Sequence, residues 1–180
     1  LLFNEELPVS LPYNKSSFAL DGSTEDTVAM MTAMGQGETT VSPMHMAMIT
    51  SAVANGGVLM NPYLIERVES YTGARVESYS ASAYGKLMTA QEAEALTGLM
   101  EAVVQEGTGR ALGGASYTVA GKTGTAEFSS DKSKSHAWFT GFSNVESPDL
   151  VVTVIVEEAG SGSEYAVPIA KKLFDAYYSL

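Results

Sequence analysis

Cysteine is absent from this 180-residue sequence, so disulfide bridges and thiolate metal sites are excluded. Basic residues are scarce, since 10 Lys and Arg stand against 21 Asp and Glu, giving a formal net charge of -11 at pH 7. Such a field repels phosphate backbones, which argues against nucleic acid as a partner. The composition, 45% hydrophobic and 17% charged, is still that of a globular domain with a core.

Long hydrophobic runs are missing as well. The longest, Leu150–Val156, has the length of a strand and falls far short of the ~20 residues that span a bilayer as a helix. The sequence opens with "LLFNEELP", which has no initiator Met, basic segment or cleavage site. We therefore expect an internal or C-terminal piece of a longer protein.

Helix signals are clearest in the first third of the chain. Ser23 or Thr24 is suited to cap a short helix. Ser42 as N-cap, Pro43 at the first helical position and Gly56 as a stop predict a longer one. The expected buried face of this longer helix consists of Met44, Met48, Ile49, Ala52 and Val53.

Two further amphipathic helices are predicted. Thr89 forms a capping box with Glu92, and Gly107 ends that helix. Its expected apolar face consists of Ala93, Leu96, Leu99, Met100, Val103 and Val104. The closing helix tolerates Pro168 only in its first turn. Its expected apolar side consists of Ile169, Leu173, Phe174 and Tyr177.

Strand signals dominate the last third. The segments "SYTVAGKTGTAEF", "HAWFTGFSN" and "LVVTVIVEEA" are rich in β-branched and aromatic residues and predict three successive antiparallel strands. Their linker "SSDKSKS" is interpreted as a solvated loop. A smaller two-stranded element is predicted around Thr72-Gly73. Helices followed by a meander and a closing helix indicate an α+β fold.

The stretch "VAGKTGTAEF" fits two incompatible motifs. A phosphate-binding loop has the pattern G-x-x-x-x-G-K-[ST], whose first Gly opens the turn that points backbone N–H groups at phosphates. Counting back from Gly121, that position is Ser116, and the flanking residues continue a strand instead of opening a helix. The other motif is Lys-Thr-Gly, Lys122 to Gly124, a signature of serine enzymes that handle D-alanyl peptides and penicillins.

Three further blocks accompany Lys-Thr-Gly: "GQGETTVSPMHMAMITSAVANGG" and "EGTGRAL" precede it, and "AWFTGF" follows. Together the four blocks closely resemble the C-terminal half of the transpeptidase domain of penicillin-binding proteins, especially the class B type that acts in cell-wall elongation or division. The resemblance implies that residues 1–180 are the C-terminal portion of a single serine transpeptidase domain. It implies a β-lactamase/transpeptidase-like fold with an antiparallel sheet packed between helices, of which this chain supplies the last three strands and the C-terminal helix.

The resemblance also implies roles along the Lys-Thr-Gly strand. The backbone N–H of Thr125 would be one half of an oxyanion hole. The hydroxyls of Thr123 and Thr125 would bind the terminal carboxylate of D-Ala-D-Ala or of a β-lactam. Gly124 would let the peptide lie against the backbone as an added strand. Lys122 would add positive potential and hydrogen-bond the Ser of a second motif.

The implied activity is two-step acyl transfer that cross-links peptidoglycan stem peptides at the extracytoplasmic face of the cell membrane. Expected partners are D-Ala-D-Ala stem peptides, β-lactam antibiotics, the N-terminal portion of the same domain and a membrane glycan polymerase. No metal or organic cofactor is implied. A β-lactamase or DD-carboxypeptidase of the same fold and a non-catalytic β-lactam sensor or scaffold stay open as alternatives. The "GQG…SPMHMA" block favours the transpeptidase over the other enzymes.

Two motifs of the family do not precede Lys122. The acylated Ser lies in Ser-x-x-Lys and a second Ser in Ser-x-Asn, both upstream of Lys-Thr-Gly in the family. The Ser-x-x-Lys of this sequence, Ser129 to Lys132, follows the motif in a polar tract and is interpreted as solvated loop, and Ser-x-Asn does not occur. We therefore expect the nucleophile to lie outside this chain and the chain alone to be inactive.

The remaining candidates are weaker. His45 and His136 lack the spacing of a metal pair or a catalytic triad, so both are interpreted as structural or exposed. The tract "MMTAMGQGETTVSPMHM" contains five Met, which are interpreted as core filler and not as a pliable binding surface. Trp138 and Phe139 alternate across their strand, so one of them should pack in the core.

Overall fold

The computed structural model of the chain describes residues 1–128 and 134–180. The elements in chain order are α1 (Asp26–Ala33), α2 (Pro43–Ala54), β1 (Val58–Met60), β2 (Arg67–Glu69), β3 (Arg75–Ser78), β4 (Ala83–Lys86), α3 (Ala90–Gln105), β5 (Val119–Glu127), β6 (Ser135–Ser143), β7 (Leu150–Val156) and α4 (Val167–Tyr177). A 3₁₀ turn at Arg110–Leu112 precedes β5, and a π-helical turn at Gly162–Ala166 leads into α4. Within the described residues, no helix is long and apolar enough to cross a membrane.

The strands form three antiparallel sheets. β5, β6 and β7 lie side by side in that order, which confirms the predicted meander. β2 pairs with β3 around the predicted Thr72-Gly73 turn, and β1 pairs with β4. Short connections explain the meander, since a turn of a few residues after β6 returns the chain only to a neighbouring antiparallel position.

The meander packs between helices, and each face has its own apolar cluster. Phe139 and Val154 of the sheet pack against Phe174 of α4, and all three are buried. On the opposite face Ala120 and Phe142 pack against Val53 of α2. Each buried Phe or Val side chain of these clusters is worth about 1.5–3 kcal/mol of transfer free energy. The sheet therefore rests on apolar contacts from both sides, as predicted for an α+β fold of this kind.

Helix α2 begins as predicted, because the Ser42 side chain accepts a hydrogen bond from the His45 N–H and Pro43 occupies the first turn. A chain of hydroxyls then joins this helix to the sheet. The Thr50 hydroxyl donates to the Met46 carbonyl at 2.9 Å and lies 2.7 Å from the Thr140 hydroxyl on β6. Thr140 in turn lies 2.7 Å from Thr153 on β7. On the predicted apolar face, Met48, Ala52 and Val53 are buried, but Met44 is exposed.

Helix α3 has the predicted capping box, in which Thr89 and Glu92 bond each other's backbone N–H groups. Its predicted apolar face is partly wrong. Ala93 and Val104 are buried, whereas Leu96 and Leu99 are 40% and 67% exposed. Met100 of the predicted face is partly buried against the cluster that contains Ala120 and Phe142, so only part of this face meets the sheet.

Helix α4 has Pro168 in its first turn, as predicted, but its predicted apolar side is only partly buried. Phe174 is fully buried, while Ile169, Leu173 and Tyr177 are each more than 40% exposed. The residues that pack on the sheet are Val167, Ala170 and Phe174. Two apolar stripes run along this helix, and the small Ala170 allows the stripe that contains it to approach the sheet closely.

Helix α1 corrects two further predictions. Its N-cap is Glu25, because Ser23 and Thr24 instead hydrogen-bond Asp21 in the preceding turn. None of its side chains is buried. Four methionines of the tract interpreted as core filler are exposed: Met30, Met31, Met34 and Met44. Methionines at helical spacing are typical of a core face, but the spacing does not show whether a second element covers that face.

The connection between β5 and β6 lies partly outside the described residues, including Ser129 and Lys132. Its end is described and differs from the prediction. Ser135 is the first residue of β6 and is buried, and its hydroxyl donates to the Gly160 carbonyl at 3.1 Å. As predicted for Trp138 and Phe139, one of the pair is in the core: Phe139 is fully buried.

His45 is a structural residue, as predicted, at the start of α2. It is 1% exposed, its Nε2 lies 2.7 Å from the Leu1 carbonyl oxygen, and its Nδ1 has no partner among the described residues. Burial lowers the pKa of His45. The ring is therefore neutral in the folded protein, with Nε2 donating to the carbonyl.

A fall in pH should lower the stability of the folded protein because His45 is buried in its neutral form. Because its pKa is lower folded than unfolded, the unfolded chain takes up a proton first as the pH falls below about 6.5, and stability is lost from there down to the folded pKa. Above pH 7 this group contributes no pH dependence. The melting temperature of the intact protein and of His45→Phe, followed from pH 8 to pH 5, measures the effect. Equal pH slopes for both proteins would contradict it.

Candidate active site

Strand β5 carries the Lys-Thr-Gly motif and has one paired and one open edge. Lys122 lies opposite Thr140 and Gly124 opposite Trp138 in the register with β6. In the three-stranded sheet β5 is an outer strand, so its second edge is not paired to a strand of the described chain. An open strand edge presents backbone donors and acceptors to an incoming extended peptide.

The direction of the backbone groups along β5 can be fixed from their partners. The Thr118 carbonyl accepts from the Asn144 N–H at 2.9 Å, so even-numbered residues turn their backbone groups toward β6. The Thr125 carbonyl instead accepts from the Gln36 side chain at 3.1 Å, and the Thr123 carbonyl accepts from the Lys122 ammonium. In an antiparallel strand the N–H and C=O of one residue point to the same side. The Thr125 N–H therefore also faces the open edge.

A cleft of about 480 Å³ lies along this edge. Its walls are β5, the start of α2 with Met46, and the segment from Met34 to Gln36 that follows α1. Lys122 is the one charged side chain among the described residues that line it. In a chain of net charge -11, this makes the cleft a local site of positive potential that favours an anionic group.

The two threonine hydroxyls of the motif have different surroundings. Thr123 is 8% exposed, and its Oγ1 lies 2.6 Å from the Oγ1 of Thr108. Thr125 is exposed at the cleft. A hydroxyl held by a neighbour is fixed in direction, so Thr123 is preorganised, whereas the Thr125 hydroxyl has no partner within the described residues and can turn toward a ligand. No role for Thr108 was predicted from the sequence, although its "EGTGRAL" block contributed to the family resemblance.

Gly124 lies where a side chain has little room. A Cβ added to Gly124 would come 3.2 Å from the Cβ of Trp138, its partner on β6. Gly162 of the π-helical turn lies close to the backbone of Gly124 and Trp138. A Cβ added to Gly162 would lie 2.6 Å from the Gly124 carbonyl oxygen. The strand is thus held between a tryptophan and the C-terminal segment at the point where the motif lines the cleft.

Gln36 is a cleft residue without a role predicted from the sequence. Its neighbours Gly35 and Gly37 have φ angles of +83° and +94°, which other residues rarely adopt. They place the Gln36 side chain across the cleft mouth from β5. Its signals in the sequence are the two flanking glycines and its place in the "GQG" block, but a hydrogen bond between residues 89 positions apart has no local signature.

The two histidines do not line the cleft in the described part of the chain. His45 bonds Leu1, and the His136 ring stacks on Phe128 while its Nδ1 accepts from the Glu158 N–H at 3.1 Å. Both are structural, as predicted.

The family model of the penicillin-binding protein transpeptidase domain matches residues 3–175. The chain belongs to this transpeptidase family. One relative is the peptidoglycan D,D-transpeptidase MrdA of Haemophilus influenzae, 38% identical over 171 residues, which cover 84% of this chain. Another is penicillin-binding protein 3 of Bacillus subtilis, 32% identical over 183 residues, which cover 97% of this chain. The chain spans 26% of the length of each of these relatives.

Solved structures of transpeptidases have the same fold. The ceftriaxone acyl-enzyme complex of penicillin-binding protein A from M. tuberculosis superposes with a TM-score of 0.80 at 28% identity, over 92% of this chain and 38% of that one. The D,D-transpeptidase domain of a peptidoglycan glycosyltransferase from Eggerthella lenta gives 0.77 at 26% identity, over 99% and 46%. The expected transpeptidase-like α+β fold is confirmed.

Proposed function

We propose that this chain is the C-terminal portion of a serine D,D-transpeptidase domain that cross-links peptidoglycan stem peptides and is acylated by β-lactams. The observation that carries the proposal is the open edge of β5, where the Thr125 N–H faces a cleft whose one charged lining residue among those described is Lys122. Relatives named peptidoglycan D,D-transpeptidases and the acyl-enzyme complexes of a similar structure support it.

The chemistry follows from this edge. A serine Oγ attacks the carbonyl carbon of the penultimate D-Ala, an ester forms, and the terminal D-Ala leaves as an amine with the proton that the serine gave up. The Thr125 N–H stabilises the negative oxygen of the intermediate. The hydroxyls of Thr123 and Thr125 hold the terminal carboxylate, and Lys122 adds positive potential beside it. An amine of a second stem peptide then attacks the ester and releases the serine.

The serine is expected in the N-terminal portion of the domain. Ser-x-x-Lys and Ser-x-Asn do not occur ahead of Lys122 in this sequence, and the chain corresponds to 38% of the similar solved chain. We propose that the N-terminal portion carries both motifs and faces β5 across the cleft. In this arrangement the protein works at the extracytoplasmic face of the cell membrane, beside a glycan polymerase that supplies the strands.

Incubation of the intact protein with fluorescent penicillin tests the proposal. A stable labelled band is expected, because the acyl-enzyme of a transpeptidase hydrolyses slowly. Rapid release of the label would indicate a β-lactamase or carboxypeptidase, and no labelled band would indicate a non-catalytic sensor or scaffold. The 180-residue chain alone should give no label, and stable labelling of Ser129 would contradict the assignment of the nucleophile to another part of the protein.

A further inference from the structure

Gln36 donates a hydrogen bond to the Thr125 carbonyl, which is the acceptor that an incoming peptide needs. The Thr125 N–H and C=O both point to the open edge of β5, and an extended peptide that adds to this edge pairs with both groups of one residue. The Thr125 carbonyl already accepts from the Gln36 amide at 3.1 Å. A carboxamide N–H has the same donor chemistry as a backbone N–H, so the side chain of Gln36 stands in for one peptide group.

The segment that carries Gln36 is loosely attached. Helix α1, which precedes it, buries none of its side chains. Among the hydrogen bonds of the described residues, the one that joins residues 26–38 to the sheet is the bond from Gln36 to Thr125. A segment with few buried contacts opens locally at low cost in free energy. Gln36 can therefore leave β5 when another donor takes its place.

We propose that Gln36 is a specificity-determining residue that competes with the acyl donor for the Thr125 carbonyl. This inference rests on the proposed function of the site. An acyl donor with an amide N–H beside its reacting carbonyl takes over the Thr125 carbonyl and displaces Gln36, whereas a donor without that N–H leaves the Gln36 bond in place. Gln36 thus lowers the rate for every peptide-like donor by the cost of its own displacement.

The competition can be measured with two β-lactams. Penicillin G has an acylamino group with an N–H beside the reacting ring, and imipenem has a hydroxyethyl group at that position. In the intact protein, Gln36→Met keeps the length of the side chain and removes the donor. We expect the second-order acylation rate constant to rise about two- to tenfold with penicillin G, the value of one net hydrogen bond, and to stay unchanged with imipenem.

Two controls complete the experiment. Gln36→Asn keeps the carboxamide but is one methylene too short to reach β5, so it should behave like Gln36→Met. Met30→Leu, at an exposed position of α1 outside the cleft lining, should match the wild type with both compounds. Melting temperatures of all variants exclude unfolding as the cause of a change.

Three results would overturn the inference. Slower acylation of Gln36→Met by both compounds would mean that Gln36 holds the strand or binds the acyl donor. An equal rate increase with both compounds would mean that Gln36 only obstructs the cleft, and unchanged rates with both would mean that it does not compete. The wild type separates these from a failure of the proposed function, since a wild-type protein that neither compound acylates would contradict the function itself.

Discussion

Replacement of Thr125 by proline in the intact protein should lower the rate of acylation by penicillin by about a hundredfold or more. Proline has no backbone N–H, and loss of one oxyanion donor typically costs on the order of a hundredfold to a thousandfold in rate. The fold should survive, because the Thr125 N–H faces the open edge of β5 and makes no ladder bond to β6. The residue before proline is restricted to extended backbone, which Gly124 already has as a strand residue.

Thr125→Ala is the matched control, since it removes the hydroxyl and keeps the N–H. It should lose about tenfold to a hundredfold, the cost of one hydrogen bond to a charged carboxylate that the Thr123 hydroxyl would still contact, and it should react faster than the proline variant. Stopped-flow or gel-based acylation rates for the two variants, with circular dichroism as a test of folding, decide the point. If a folded proline variant reacts as fast as the alanine variant, the Thr125 N–H is not an oxyanion donor.

Gly162→Ala should damage stability and acylation together. An added Cβ would lie 2.3 Å from the Trp138 carbonyl oxygen and 2.6 Å from that of Gly124, and both atoms belong to the backbone of the meander. Backbone cannot turn aside as a flexible side chain can, so we expect a loss of roughly 1–3 kcal/mol in the free energy of unfolding. The displaced strand carries Thr125 one residue away. Misplacement by ~1 Å can cost on the order of a hundredfold in rate, so acylation should slow at least tenfold.

Gly98→Ala is the matched glycine control. Gly98 lies inside α3, where an added Cβ would meet no atom within 4 Å. Alanine is the better helix former by about 0.5–1 kcal/mol, so this variant should be slightly more stable than the wild type and acylated at the same rate. Chemical denaturation and acylation rates for both variants provide the comparison. A Gly162→Ala protein as stable and reactive as the wild type would show that the turn does not press on the strand.

Local signals predicted those features that a few neighbouring residues determine. The Ser42 cap, the capping box of Thr89 and Glu92 and the position of Pro168 each depend on one helical turn, and the structure has all three. The order of β5, β6 and β7 follows from strand length and short connections. The family was predicted from four separated blocks that occur together in the family's order, and the family model matches residues 3–175.

Predictions failed where two elements must meet. Helix α4 has two apolar stripes, and only the shape of the sheet beneath it selects the stripe with Ala170 over the one with Leu173. The pairs Thr108–Thr123 and Gln36–Thr125 join residues that no periodicity relates. Such contacts are properties of tertiary packing, and a single sequence does not record which distant residue fills a gap or satisfies an edge carbonyl.

The hydroxyls of Thr50, Thr140 and Thr153, which join α2 to the sheet, can donate their hydrogen bonds in only one direction. A hydroxyl has one proton to give, and that of Thr50 goes to the Met46 carbonyl, which only accepts. Thr140 must then donate to Thr50, and Thr153 must donate to Thr140. Valine at Thr153 would cost one bond at the end of this relay, whereas valine at Thr140 would break two bonds and leave the Thr153 proton without its acceptor. The Met46 carbonyl oxygen thus sets the donor direction of all three hydrogen bonds, from Thr153 on β7 to α2 beside the cleft.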